Sequence, residues 1–333
     1  MKLHSRKLHT ATAASATSAL ILALAFSMNA RAVDIVAHGG ASDDAPYDTL
    51  ASERLAWEQK ADVVANNIRQ TADGRIIVSH DSNVKRVTGV DLVVENTTFD
   101  ELRKLDAGAR KNPRFAGEKL PSLDEQLALI RPGKRMFVEI KAGPDIVPEL
   151  ARCLERNKAG GHNVTFISFD YETLKAVREK MPGVPLLYIV GFKKPAEDKT
   201  AAKAKSKTAA TAKKGTSAKD EMNANTNTKD EAAAVAAAES TATPAKIKPW
   251  TYPASKPTLD EAIARAKAAR LTGLDLQNTW PLGEAEVRKI KDAGLELHVW
   301  TINTPEEARR WIALGVASIT TDRPGWLRAE LGL

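Results

Sequence analysis

The chain has 333 residues, 43% hydrophobic and 27% charged, enough apolar material for a packed core and too much for a disordered chain. Its formal charge of +7 sits in two stretches: residues 1–32 carry +4 and the segment between Gly191 and Lys248 carries +5. The remainder is −2, which excludes a global nucleic-acid footprint, and the single cysteine, Cys153, excludes an internal disulfide.

The N-terminus reads as an export signal. Lys2, Arg6 and Lys7 form a basic start, Leu20–Phe26 the centre of a short apolar run, and Ala30-Arg31-Ala32 a small-x-small cleavage pattern. The run is shorter than the ~20 residues that span a bilayer, so a cleavable signal peptide over 1–32 is expected, with no transmembrane segment in the mature chain. Cleavage after Ala32 would deliver a secreted or periplasmic protein.

From residue 33 onward, β-rich runs and helical stretches alternate. The strands are predicted at Asp34–Ala37, Asp62–Ile68, Met136–Ile140, Val164–Ser168, Pro185–Val190, Gly273–Leu276, Glu296–Trp300 and Ala317–Thr320. Helices are predicted near Thr49–Gln59, Leu123–Ile130, Asp145–Asn157, Tyr171–Lys180, Leu259–Ala268, Glu284–Asp292, Pro305–Leu314 and Gly325–Glu330. Trp57 and Trp311 fall on helices that cover the strands, and Cys153 is read as a buried helix residue. Capping boxes are expected at Thr98/Glu101, Ser122/Glu125, Thr258/Glu261 and Thr304/Glu307, where a hydroxyl accepts from an orphan N–H and the Glu reaches back.

Eight strand–helix units in roughly 250 ordered residues predict an α/β fold, a (β/α)₈ barrel. An open doubly wound sheet is the alternative, disfavoured because no Gly-rich dinucleotide loop follows the first strand. The barrel is expected in two parts, 33–192 and 249–333, with a small inserted subdomain at 82–121. Between them, 193–248 is rich in Lys, Ala, Thr and Asp and lacks large apolar residues, so a disordered low-complexity insertion is expected.

In such a barrel, function gathers at the C-terminal ends of the strands. Those ends carry His38, Val78-Ser79-His80-Asp81, Glu139 and Lys141 on one face, Trp300-Thr301, and Thr320-Thr321-Asp322. Any one of them is more often structural; convergence on one rim is what points to chemistry.

The stretches Val36-Ala37-His38-Gly39-Gly40, Ala45-Pro46, Asp73-Gly74, His80-Asp81, Leu105-Asp106-Ala107-Gly108 and Phe137–Lys141 resemble the landmarks of glycerophosphodiester phosphodiesterases. So do Trp300-Thr301-Ile302-Asn303-Thr304 and Thr321-Asp322-Arg323-Pro324. The resemblance implies hydrolysis of glycerophosphodiesters to glycerol 3-phosphate and an alcohol, with His38 and His80 as general acid and base. It further implies a divalent metal, Mg²⁺ or Ca²⁺, with Glu139 among its ligands, Lys141 contacting substrate, and Trp300 as a platform for the glycerol or alcohol moiety.

The chain departs from that pattern at the metal. Where the family has His-Arg-Gly it has His38-Gly39-Gly40; where the family has Pro-Glu-Asn-Thr it has Pro46-Tyr47-Asp48-Thr49. Where the resemblance implies a Glu-x-Asp pair of metal ligands on the second strand, the chain has Ala65-Asn66-Asn67, and no acid lies between Asp62 and Asp73. Hard dications need several anionic oxygens, so weak or absent metal binding is expected, with turnover down by roughly a thousandfold or more. The alternative is an active phosphodiesterase with a rebuilt site, in which Asp48 shares a metal with Glu139 or Arg69 neutralises phosphate without one. A third reading, envelope or adaptor binding through the Lys-rich insertion, rests on composition alone.

Overall fold

The computed structural model describes residues 33–192, 249–254 and 256–333. The export signal expected over 1–32 and the insertion expected over 193–248 lie outside the described residues. Among the described residues no helix is long and apolar enough to cross a membrane.

Eight parallel strands close on themselves. In chain order they are β1 (Asp34–His38), β2 (Val63–Gln70), β4 (Arg135–Ile140), β5 (Val164–Ser168), β6 (Leu186–Val190), β7 (Gly273–Gln277), β8 (Glu296–Trp300) and β9 (Ser318–Thr321). Each pairs with the next, and β1 pairs with both β2 and β9, which shuts the ring. That pairing excludes the open doubly wound sheet. The short β3 (Ile76–Val78) runs antiparallel on the end of β2.

Alternation along the strands sorts the side chains. Val36, Val63, Ala65, Phe137, Ile167, Leu187 and Ile189 form a small cluster distinct from the large one. These share strand parity with His38, Asn67 and Glu139 and point into the barrel. The large cluster contains Ile35, Ile68, Val138, Phe166 and Leu274 with helix residues such as Leu150, Leu174, Ile290 and Trp311, and so fills the layer between strands and helices. Trp57 and Trp311 are both buried, as is Cys153. The helices of this outer layer are α1 (Leu50–Glu58), α4 (Leu123–Leu127), α5 (Val147–Arg156), α6 (Tyr171–Lys180), α7 (Leu259–Ala268), α8 (Glu284–Asp292), α9 (Pro305–Leu314) and α10 (Pro324–Leu331).

Three of the expected capping boxes form, at Thr98, Ser122 and Thr258. The one expected at Thr304 does not. Its partner Glu307 instead accepts a hydrogen bond from Asn278 Nδ2 at 2.9 Å, so a tertiary contact outcompetes the local one. An additional box joins Thr49 and Ser52 at the start of α1, and Ser52 Oγ also donates to the Gly39 carbonyl at 2.8 Å. This ties the helix to the loop after β1.

Residues 82–121 hold two one-turn helices, α2 (Lys85–Thr88) and α3 (Phe99–Leu102), and share a core of Ile77, Val84, Val94, Phe99, Leu102, Ala107 and Leu120. A cleft of about 470 Å³ separates this unit from the rim, with Ser42, Pro46, Tyr47 and Asp322 on one side and Arg86, Arg110 and Lys111 on the other.

Glu53 on α1 is fully buried against the barrel, with Oε1 accepting from Trp57 Nε1 at 3.3 Å. Burial pushes its carboxyl up to about 8. Such a group contributes stability in full below the ordinary carboxyl range near pH 4.5, and that contribution is lost as pH rises to about 8. Glu53→Gln mimics the protonated acid. Urea denaturation at pH 5, 7 and 9 should therefore show a flatter decline for the variant, with a gap on the order of 4 kcal/mol opening by pH 9. Parallel curves for the two proteins would contradict the assignment.

Candidate active site

The strand register brings the expected residues to one rim. His38 pairs with Ala65, Asn67 with Glu139, and Gln277 with Trp300, all at the C-terminal ends of their strands. His38, Asn67, His80, Glu139, Lys141 and Trp300 line a single pocket of about 400 Å³. Ala65 lies in its wall, a methyl group among polar neighbours.

Each histidine is held by a carboxylate. His38 Nδ1 lies 2.7 Å from Asp322 Oδ1, and Asn303 Nδ2 donates to the other oxygen of Asp322 at 2.7 Å. His80 Nδ1 lies 2.7 Å from Asp81 Oδ1, while Arg86 Nε donates to Asp81 Oδ2 at 2.5 Å. Burial lowers the His80 imidazole below its ordinary value, outweighing its Asp81 partner. The bonds to His80 and Arg86 hold the Asp81 carboxyl well below the usual range despite partial burial. Burial would raise Asp322, but its bonds to His38, Asn303 and Ser42 outweigh burial and keep it low. An imidazole that donates a hydrogen bond from Nδ1 to a carboxylate keeps Nε2 free to accept a proton. That is the arrangement of a base.

Glu139 and Lys141 face each other. Lys141 Nζ is 2.6 Å from Glu139 Oε1 and donates to Tyr252 Oη at 2.8 Å. Although its side chain is only 1% exposed, these partners outweigh burial and raise the ammonium above its ordinary value. The charge on Glu139 is therefore already answered by a cation built into the protein.

Tyr47 stands between the two histidines, edge-on to His38 at 5.2 Å and to His80 at 5.8 Å. A Cβ added at Gly39, which has φ +63°, would lie 2.6 Å from Tyr47 Cζ. The bare glycine and the aromatic ring are thus a matched pair: the ring takes the room that a side chain at 39 would need. Burial, reinforced by Asp48, raises the Tyr47 phenol well above its ordinary value and keeps it neutral.

Asp48 and Arg69, the groups of the alternative reading, each have partners of their own. Asp48 is not among the residues that line the pocket. It is buried behind Tyr47, and both its oxygens accept from Asn67 Nδ2, at 3.2 and 3.0 Å. Burial raises its carboxyl to about 7. The Arg69 guanidinium is occupied: Nη1 meets Glu95 Oε1 at 2.7 Å, and Nε and Nη2 donate to the His80 carbonyl. It supports the loop that carries His80 and does not face the pocket.

Several residues were not assigned a role from sequence. Tyr252 enters from beyond the insertion and meets Phe169 edge-on at 5.0 Å; Phe169 in turn meets Trp300 at 5.7 Å. Asp275, inward on β7, lines the pocket while 3% exposed, and its Oδ1 has no hydrogen-bond partner. Burial, with Glu139 nearby, raises its carboxyl well above the ordinary value. A signal for Asp275 was available: an acid within the apolar run Gly273–Gln277 at inward parity. Nothing in sequence ties Tyr252 to Lys141.

The donors present fit a hard dication poorly. At the two expected strand positions stand a methyl and an amide whose nitrogen is turned to Asp48; only Asn67 Oδ1, neutral and without a hydrogen-bond partner, remains there. Among the described residues no three His, Cys, Asp or Glu side chains converge as a metal-holding group.

Comparison with known proteins adds the relatives. The model of the Glycerophosphoryl diester phosphodiesterase family matches residues 38–326. A glycerophosphodiester phosphodiesterase of Caldanaerobacter subterraneus is 34% identical over 170 residues, covering 48% of this chain and 69% of its own. One from Bacillus subtilis is 32% identical over 184 residues, covering 50% of this chain and 62% of its own. The chain thus spans about two thirds of the length of these curated relatives. Among solved structures, an Oleispira antarctica phosphodiesterase in complex with the product sn-glycerol-3-phosphate superposes with a TM-score of 0.66 at 20% identity, covering 90% of this chain and 97% of that one. A glycerophosphodiester phosphodiesterase from Agrobacterium tumefaciens gives 0.60 at 20% identity, covering 89% and 99%. At such identity the likeness is one of fold.

Proposed function

The chain belongs to the glycerophosphoryl diester phosphodiesterase family, and from that premise we propose that its rim pocket binds a glycerophosphodiester or related phosphate ester and hydrolyses it at a strongly reduced rate. The observation that carries this reading is the contrast within one pocket: two carboxylate-held histidines are in place, while the metal positions hold Ala65 and Asn67 and Glu139 is paired with Lys141. The product bound to the Oleispira relative supports a small phosphate-bearing ligand.

The chain's own residues divide the work as follows. One imidazole accepts a proton from the water that attacks phosphorus, and the other, protonated, gives its proton to the alcohol oxygen as the P–O bond to it breaks. Asp322 and Asp81 fix the rings through Nδ1. Lys141 brings positive charge to the pocket, though its ammonium is shared with Glu139. A divalent ion, when bound in a family member, polarises the phosphoryl oxygens, a contribution of several kcal/mol; the donors here supply no equivalent. At tenfold per 1.36 kcal/mol the deficit is roughly a thousandfold or more.

The test is hydrolysis of sn-glycero-3-phosphocholine and bis(p-nitrophenyl) phosphate with Mg²⁺, Ca²⁺ or EDTA, beside the His38→Ala and His80→Ala variants. Slow turnover is expected, indifferent to chelator and lost in either variant. Metal-dependent turnover in the ordinary range of about 1–10³ s⁻¹ would overturn the reading. Calorimetry should find Mg²⁺ and Ca²⁺ binding no tighter than millimolar.

A further inference from the structure

The pocket has two unlike halves. His38, His80, Glu139 and Lys141 occupy one, and an aromatic wall built by Phe169, Tyr252 and Trp300 occupies the other, backed by Ile167 and Ile189. With phosphate bound at the histidines, as the proposed function has it, the aromatic half receives the alcohol of the diester.

Aromatic walls commonly bind quaternary ammonium groups through the ring faces. Here the cations on those faces belong to the protein. Lys141 Nζ lies 4.9 Å from the Tyr252 ring centre and donates to the Tyr252 hydroxyl at 2.8 Å. Lys256 adds a further ammonium to the lining, its Nζ donating to the Phe192 carbonyl at 3.2 Å. The pocket carboxylate that faces these cations, Glu139, is already held by Lys141 at 2.6 Å, and Asp275 is buried, only 3% exposed. A cationic alcohol would meet the ammonium groups of Lys141 and Lys256, with Glu139 already paired to the first. An uncharged apolar one would meet ring edges and aliphatic side chains.

We propose that this aromatic wall selects phosphodiesters of uncharged, apolar alcohols, aryl or short alkyl, and rejects those of choline and other cationic alcohols. The inference rests on the proposed function, since it needs phosphate seated at the histidines. Selection comes from the resident cations as much as from the rings.

The test is calorimetry in EDTA with the full chain, comparing sn-glycero-3-phosphocholine with the phenyl diester of sn-glycerol 3-phosphate. The phenyl ester should bind at least tenfold tighter. Tyr252 is 51% exposed, so Tyr252→Ala leaves the core intact; that variant and Phe169→Ala should each shrink the preference by fivefold or more. Lys141→Met, which frees the Glu139 carboxylate, should shift the preference toward the choline ester. Equal or tighter binding of the choline ester by the unaltered protein overturns the inference, as does a preference that survives both aromatic variants. If neither ester nor glycerol 3-phosphate binds, the proposed function itself falls.

Discussion

The double variant Ala65→Glu/Asn67→Asp is expected to gain metal-dependent hydrolysis of about a hundredfold or more over the unaltered chain. It would place two carboxylates beside Glu139, in a pocket where Asn67 now donates to both oxygens of Asp48. Without a cation these carboxylates repel one another, and the folded state should weaken in EDTA. A dication reverses that. Ligand bound only to the folded state at about a thousand times its Kd adds roughly 4 kcal/mol of stability. Thermal unfolding should therefore depend on Mg²⁺ or Ca²⁺ in the variant and be indifferent to them in the parent. The gain should stop short of a full family member, because Gly39 still lacks a guanidinium and Tyr47 fills the space above it. A variant that unfolds at the same temperature with and without metal would show that something other than these two positions keeps the ion out.

The second large effect is on stability. Arg69 and Glu95 form an ion pair with side chains 5% and 3% exposed, which joins β2 to the 82–121 unit. Glu95 Oε2 also accepts from Ser82 Oγ at 2.6 Å, and Arg69 holds the His80 carbonyl. Removing one partner of a buried pair leaves an unanswered charge, at a cost of about 3–5 kcal/mol. Arg69→Met should lower the melting temperature by about 6–20 °C at this size. Changing both residues, Arg69→Met/Glu95→Leu, should restore much of the loss, because no charge is then stranded. If the single and double variants melt together, the pair contributes little and the 82–121 unit is held by its apolar core alone.

Much of the barrel was legible because its strands and helices are locally consistent. Runs such as Val164–Ser168 and Leu186–Val190 are buried on both faces, as strands of a covered parallel sheet must be, and Ser122 and Thr258 set helix starts without outside help. Thr304 failed for the opposite reason. Its Glu partner found Asn278, which lies 29 positions away in sequence.

At the site, residue identities could be read along the chain and partnerships could not. His38, His80, Glu139, Lys141 and Trp300 follow from strand ends and the period of two, and the absence of an acid at Ala65 and Asn67 is plain in the letters alone. The sequence by itself therefore determined the barrel, the rim and the residue types that stand on it, all consequences of local pattern. Only the tertiary structure decided what each group does there. It put Asp322 on His38 across 284 positions, spent Arg69 on Glu95, set Tyr47 over Gly39 and brought Tyr252 to Lys141. Closing eight strands into a ring makes neighbours of residues far apart in the chain, and charge and hydrogen bonding act through space.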